Sequence, residues 1–248
     1  MDRIKFSSEI PSKVLIANPQ LLEFLDYDFV IASMYLEDAI YSNYYLSHRR
    51  PGTILDNGAF EIGESIAVND YLEVIDELRP DIIVLPDSRQ DWFITRDMVG
   101  EFVSRRPEEY KTSYKFMGVL QGLEYEAWES LLSYYQKLNV DIIGIPYGVL
   151  DRVNFIRDHP DVEFHALGLR YFPELLSLRL LRNVVSIDTS LPVKYAVNQK
   201  LLKDLDILTI DNRPSFGEGF DSKQVAHLIK NLKFVREVCD RTNNFPLV

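Results

Sequence analysis

Four polar residues, Asp56, Asp87, Gln121 and Asp188, stand directly after short apolar runs or one residue further on. Gathered on one rim, three carboxylates and an amide make a small polar site. Like charges held close raise at least one carboxyl pKa, and a raised carboxyl beside an ionised one is the pairing that general-acid and nucleophilic chemistry needs. A lone Asp after a strand has a plainer use: its oxygen accepts from the free N–H groups that open the next helix. That use accounts for any one of these residues more readily than for all four.

The elements that must position them are read from periodicity. Short apolar runs occur at 14–17, 29–33, 53–55, 82–85, 116–120, 142–145, 164–167 and 184–187, with a ninth at 207–210. They are apolar throughout rather than alternating, as strands covered on both faces are. Amphipathic stretches lie between them. Residues 69–78 place Tyr71, Leu72, Val74, Ile75 and Leu78 near one face, and 124–138 do the same with Trp128, Leu131, Leu132, Tyr135 and Leu138. Residues 173–181 and 222–238 also read as helices, the last with Asp221 or Ser222 as its cap.

Strand alternating with helix implies a parallel sheet, and about eight units imply closure into a (β/α)8 TIM-type barrel, one domain over 1–248. An open doubly wound sheet normally carries a glycine fingerprint after its first strand, and Ala17-Asn18-Pro19 offers none. In a barrel the C-terminal strand ends meet at one mouth, so the four polar residues are expected there.

Composition narrows the classes. Of 248 residues 46% are hydrophobic and 26% charged, and the formal net charge is −11. That charge argues against coating nucleic acid by bulk electrostatics. It leaves room for a local basic rim, for which Lys194, Arg89, Arg152, Arg170, Arg49 and Arg50 are candidates. The single cysteine, Cys239, makes neither an internal disulfide nor a cysteine-rich zinc site, so a reducing, cytoplasmic setting is expected. No run of about 18 apolar residues occurs, so neither a membrane span nor a signal segment is expected. His165 reads as a hydrogen-bonded structural histidine of the seventh run. His48, His159 and His227 group with no ligands at metal spacing, so no metal and no cofactor are expected.

The phrases around these strand ends, in this order, resemble the queuine/archaeosine tRNA-guanine transglycosylase family and its DNA-modifying relatives. Asp56-Asn57-Gly58-Ala59-Phe60-Glu61 is similar to the family's Asp-Ser-Gly-Gly-Phe-Gln, and Gly118-Val119-Leu120-Gln121-Gly122 to its Gly-Ile-Val-Gln-Gly. Gly144-Ile145-Pro146-Tyr147-Gly148 resembles its Gly-Leu-Ala-Val-Gly. Asp188-Thr189-Ser190-Leu191-Pro192 resembles the nucleophile phrase, an Asp followed by Pro at the fourth position. The likeness runs from about residue 53 to 200.

The resemblance implies a barrel that exchanges a guanine in a nucleic acid for a free 7-deazaguanine base of the preQ0 type. Carried over, Asp188 is the nucleophile at the sugar C1′ and Asp56 the general acid/base. Asp87 and Gln121 bond the base edge with help from the backbone at Gly144 and Ile145, Asn57 stands in the substrate-binding phrase, and Lys194 meets a phosphate. Phe60, Tyr147 and Tyr171 follow strands and are candidates to stack on a flipped purine, although packing against the rim is an equal use of an aromatic ring. Departures are Asn57 for Ser, Ala59 for Gly, Glu61 for Gln, and Val149 where the bacterial enzymes have Glu. The family's Cys/His zinc subdomain is missing, since one cysteine cannot supply it. That favours the DNA-modifying branch, often phage-borne, over tRNA, with nucleic-acid docking left to a homodimer or partner subunit. Two other readings stay open. One is a small-metabolite hydrolase or lyase that keeps the rim but has no use for Gln121. The other is a non-catalytic barrel that binds nucleic acid or another subunit, against which Asp56 and Asp188 together argue.

Overall fold

The computed structural model describes residues 3–63, 65–148, 150–169, 171–204, 219–240 and 242. Eight strands run in parallel: β1 (Lys5–Ser7), β2 (Phe29–Ile31), β3 (Ile54–Asp56), β4 (Ile82–Val84), β5 (Lys115–Val119), β6 (Ile142–Pro146), β7 (Phe164–Leu167) and β8 (Val184–Asp188). Their order is β1-β8-β7-β6-β5-β4-β3-β2, with each neighbour parallel. This is the (β/α)8 TIM-type barrel. The seam is held between the end of β1 and the segment leading into β2, where Asp26 N donates to Phe6 O at 2.8 Å and Ser7 Oγ donates to Tyr27 O at 2.8 Å.

The first strand is not where the apolar run put it. Residues 14–17 belong to a short helix, Ser12–Ala17, and β1 is the segment Lys5–Ser7 ahead of it. Pro11 precedes that helix with extended backbone, and Val14 and Leu15 turn inward from it. The other runs match strands to within a residue or two. Asp56 closes β3 itself rather than following it. The run at 207–210 lies outside the described residues.

Alternation across the barrel wall sorts the apolar side chains into two layers. Phe29, Ile31, Ile54, Val84, Met117, Val119, Ile142 and Val185 pack inside the barrel. A larger layer, including Leu55, Ile83, Phe116, Ile143, Phe164, Ala166 and Ile187, packs against the helices. The helix Val68–Leu78 buries Val68, Tyr71, Val74, Ile75 and Leu78, and Tyr125–Lys137 buries Ala127, Trp128, Leu131, Leu132 and Tyr135. These are the i, i+3, i+4 faces that the sequence displays.

Buried side chains also finish the strand ends, where carbonyls run out of ladder partners. Tyr71 Oη lies 3.0 and 2.8 Å from the Leu55 and Val84 oxygens, Tyr135 Oη donates to Val119 O at 2.9 Å, and Tyr27 Oη to Ile187 O at 2.7 Å. Arg152 does the same for β6 and β7: Nη1 reaches Ile145 O at 2.9 Å and Leu167 O at 3.0 Å, while Nη2 reaches Gly168 O at 2.6 Å. Its Nε pairs with Glu174 at 2.8 Å, and the residue is 1% exposed. Arg152 is therefore an internal brace and not part of a basic rim.

The last helix, Ser222–Cys239, opens with a full capping box. Asp221 Oδ1 accepts from Gln224 N at 2.7 Å and Gln224 Oε1 accepts from Asp221 N at 2.9 Å. Asp221→Ala is expected to lower unfolding free energy by about 1 kcal/mol, read from a shifted urea midpoint at unchanged slope.

Candidate functional site

Asp56, Asp87, Gln121 and Asp188 all line one pocket of about 150 Å³ at the C-terminal mouth. The four sit on different strands or the loops just after them: Asp56 ends β3, Asp87 follows β4, Gln121 follows β5 and Asp188 ends β8. None is a helix cap. Side-chain capping goes instead to Asp38, Asp91, Asp151 and Asp221, each bonding N–H groups in the first turn of its own helix. After β4 and β6 that plainer use is filled by Asp91 and Asp151.

Asp87 is the centre of a buried cluster. Its Oδ1 accepts from Asn57 Nδ2 at 2.6 Å, and its Oδ2 from Gln121 Nε2. Asn57 also donates to Leu85 O at 2.8 Å, and Gln121 Oε1 accepts from Gln90 N at 2.9 Å. Ser65 Oγ bonds the Asp87 backbone on both sides, at 2.7 and 2.9 Å. Burial raises the Asp87 carboxyl to about 6, although the bonds from Asn57 and Gln121 pull the other way. Asn57 thus fixes Asp87 from within the wall of the site.

Asp56 is raised well above the usual carboxylate range. Burial is the main cause and the Glu61 carboxylate the next, with Asp87 and Asp188 adding smaller repulsions and the Gly58 N–H opposing them. That N–H donates to Asp56 Oδ1 at 2.8 Å. Gly58 has φ +81°, and a Cβ there would lie 2.7 Å from Ser33 Oγ, so the turn that aims Asp56 requires glycine.

Asp188 is 3% exposed and held through one oxygen. Oδ1 lies 3.0 Å from His165 Nε2 and accepts from Gly168 N at 3.1 Å. His165 Nδ1 lies 2.7 Å from Ser186 Oγ. A register shift brings this about: Phe164 pairs with Val184 but His165 pairs with Ser186, skipping Val185. The skipped residue sets Ser186 and Asp188 on the same side as His165, an effect a bulge beside a site commonly has. Sequence reasoning treated His165 as structural and passed over Ser186. The available signal was a histidine inside an otherwise apolar strand facing a serine two residues before the candidate Asp.

Phe60 and Tyr147 both line the pocket, with ring centroids 6.2 Å apart and planes inclined by 55°. The Arg89 guanidinium sits 4.9 Å from the Phe60 centroid, and Lys194 lines the pocket from the helix Leu191–Val197. Glu9 and Glu61 add two more carboxylates to the lining. Tyr171 is half-exposed and not part of the lining.

Gly144 and Ile145 are also not part of it. The Gly144 carbonyl accepts from Leu120 N at 2.9 Å and the Ile145 carbonyl from Arg152, so both serve the barrel wall; Pro146 and Tyr147 reach the pocket instead. Arg49 and Arg50 lie at the opposite end, before β3. Arg49 pairs with Asp81 at 2.9 Å and Arg50 with Asp28 at 2.8 Å. Of the six candidate rim cations, Arg89 and Lys194 are at the mouth, and Arg170, like Val149, lies outside the described residues. Among the described residues no group of three or more His, Cys, Asp or Glu is placed to hold a metal ion, and no helix is long and apolar enough to cross a membrane.

No family model matches this sequence, and no curated protein matches it. Among solved structures, the chain is similar to the glycerol uptake operon antiterminator regulatory protein from Listeria monocytogenes str. 4b F2365. The identity is 14% and the TM-score 0.44, over 77% of this chain and 93% of that one.

Proposed function

We propose that this barrel is a base-exchange transglycosylase that removes a guanine from a nucleic acid, DNA rather than tRNA, and installs a free 7-deazaguanine. The observation that carries the reading is the seating of Asp56, Asp87, Gln121 and Asp188 around one pocket, with Asp188 anchored through Oδ1 alone.

In this reaction an Asp188 oxygen bonds to the sugar C1′ as the C1′–N9 bond breaks, and the guanine leaves with the electron pair. Guanine is a poor anion, so it takes a proton from Asp56 or Asp87, the two carboxyls that burial keeps protonated to higher pH. The incoming base returns that proton to the same carboxyl as its N9 attacks C1′, and the bond to Asp188 breaks. Two displacements at C1′ restore the original configuration.

The target base must leave the stack to reach a pocket this enclosed, and Phe60 and Tyr147 offer flat faces for it. Gln121 and Asp87 supply donor and acceptor groups for a guanine edge, in exchange for the bond they make to each other. Arg89 and Lys194 supply cations for phosphates. The lean toward DNA rests on the single cysteine, which leaves no zinc unit for tRNA docking. A second copy or a partner subunit would supply the remaining nucleic-acid contacts.

The test is to incubate the protein separately with guanine-labelled DNA and guanine-labelled tRNA, each with a free 7-deazaguanine. Label is expected to leave the DNA in step with deazaguanine entering it. Release from tRNA alone would overturn the choice of nucleic acid, and release from neither would overturn the activity.

A further inference from the structure

We propose that His165 and Ser186 form a buried clamp that fixes which oxygen of Asp188 faces the substrate. The inference rests on the reading of Asp188 as a nucleophile.

His165 is wholly buried in β7, between Phe164 and Ala166. Its ring stacks on Phe29 inside the barrel, with centroids 6.0 Å apart and planes 7° from parallel, and the Tyr27 ring is steeply inclined to it with its centroid 6.4 Å away. Both ring nitrogens are engaged, Nδ1 by Ser186 Oγ at 2.7 Å and Nε2 by Asp188 Oδ1 at 3.0 Å. An ionised carboxylate only accepts, so Nε2 carries the hydrogen that points at Asp188. With the ring neutral, Nδ1 is then the acceptor and the Ser186 hydroxyl its donor. In that form Ser186 holds the ring by Nδ1 and leaves the Nε2–H as the donor to Asp188.

The neutral form has a chemical consequence. A cation at this position would pair with Asp188 and blunt its attack, whereas a neutral N–H orients the carboxylate without cancelling its charge. The Gly168 N–H falls on the same oxygen at 3.1 Å. Oδ1 is thus held twice, and Oδ2 is presented to the pocket that Asp188 lines. The order of groups is the reverse of a serine hydrolase triad, in which the hydroxyl attacks and the carboxylate sits behind. Here the carboxylate faces the pocket, and Ser186, 5% exposed, lies at the far end. Both histidine and serine are positioning residues.

The experiment combines kinetics with nitrogen NMR of the imidazole. His165→Phe keeps the ring and its stacking but removes both polar contacts. It is expected to slow covalent adduct formation about 100-fold with KM changed less than about threefold, the scale that a misplaced reacting group costs. His165→Gln keeps an amide donor within reach of Asp188 and is expected to recover about tenfold of that loss. A folded His165→Phe that forms adduct at the wild-type rate would overturn the clamp. If that variant does not fold, Ser186→Ala takes over the kinetic arm, and an unchanged adduct rate with an unchanged tautomer would overturn it equally.

The wild-type spectrum is expected to show a neutral His165 protonated on Nε2, and a ring protonated on Nδ1 would overturn the clamp. This arm needs no turnover. A silent wild-type enzyme with the Nε2–H tautomer would therefore sink the transglycosylase reading and leave the clamp standing. An active enzyme with the other tautomer would do the opposite.

Discussion

Asp188→Asn is expected to lower base exchange by about 10,000-fold or more with little change in melting temperature, a loss on the scale seen when a covalent nucleophile is removed. The small structural cost follows from where Asp188 is held. Both of its hydrogen bonds end on Oδ1, and an Asn oxygen in the same place still accepts from His165 Nε2 and Gly168 N. The change falls on the other atom, which becomes an amide nitrogen unable to bond to C1′. Asp188→Ala differs because it also strands those two donors in a buried setting. It should therefore add a stability loss of about 1–3 kcal/mol to the same loss of turnover. Denaturing electrophoresis and mass spectrometry after incubation with substrate provide the decisive reading. Wild type should carry a sugar-linked adduct at Asp188 and the Asn variant none. An adduct mapped to any other residue, or exchange persisting in the Asn variant, would take Asp188 out of the nucleophile role.

The parts of the barrel that were legible in the sequence are those where burial leaves a periodic mark. Strands β2 to β8 are covered on both faces, so their apolar runs stand out, and the helices Val68–Leu78 and Tyr125–Lys137 show a 3.6-residue stripe. Strand β1 leaves no such mark. It is three residues long and reads Lys-Phe-Ser, with Lys5 exposed and Ser7 bonded across the seam. The more apolar stretch nearby is a six-residue helix, too short to display a period. The site divides in the same way. Residues at strand ends could be placed because a barrel brings those ends together, whatever the residues are. What a side chain does once there depends on neighbours distant in sequence. Arg152 looked like a surface cation until the open carbonyls of β6 and β7 supplied its partners, and Arg49 and Arg50 proved to belong to the opposite end of the barrel. The tie between His165 and Asp188 depends on a one-residue register shift that no local pattern announces.

Asp87 carries the second large effect, and its sign can be worked out. Its carboxyl is raised from 3.8 to about 6, first by burial. In the proposed chemistry the departing guanine needs a proton. If Asp87 is its source, the guanine-release half-reaction should fall about tenfold per pH unit above about pH 6. Asp87→Asn should remove that limb and slow release about 100- to 1,000-fold, within the range that general acids contribute. Asp56→Asn is the matching control, because the Asp56 carboxyl is raised as well. A limb that survives Asp87→Asn and disappears in Asp56→Asn would assign the proton to Asp56. Stability offers a reading independent of turnover. The folded state holds the Asp87 proton more tightly than the unfolded chain does. Its contribution therefore favours folding below about pH 4 and is lost as pH rises through about 6, a change of about 3 kcal/mol for a shift of this size. Asp87→Asn cannot lose a proton, so relative to wild type it should gain stability across that window, seen in urea melts at successive pH values. A difference that stays flat from pH 4 to 7, or runs the other way, would mean that Asp87 ionises at or below its ordinary value and has no proton to give near neutrality.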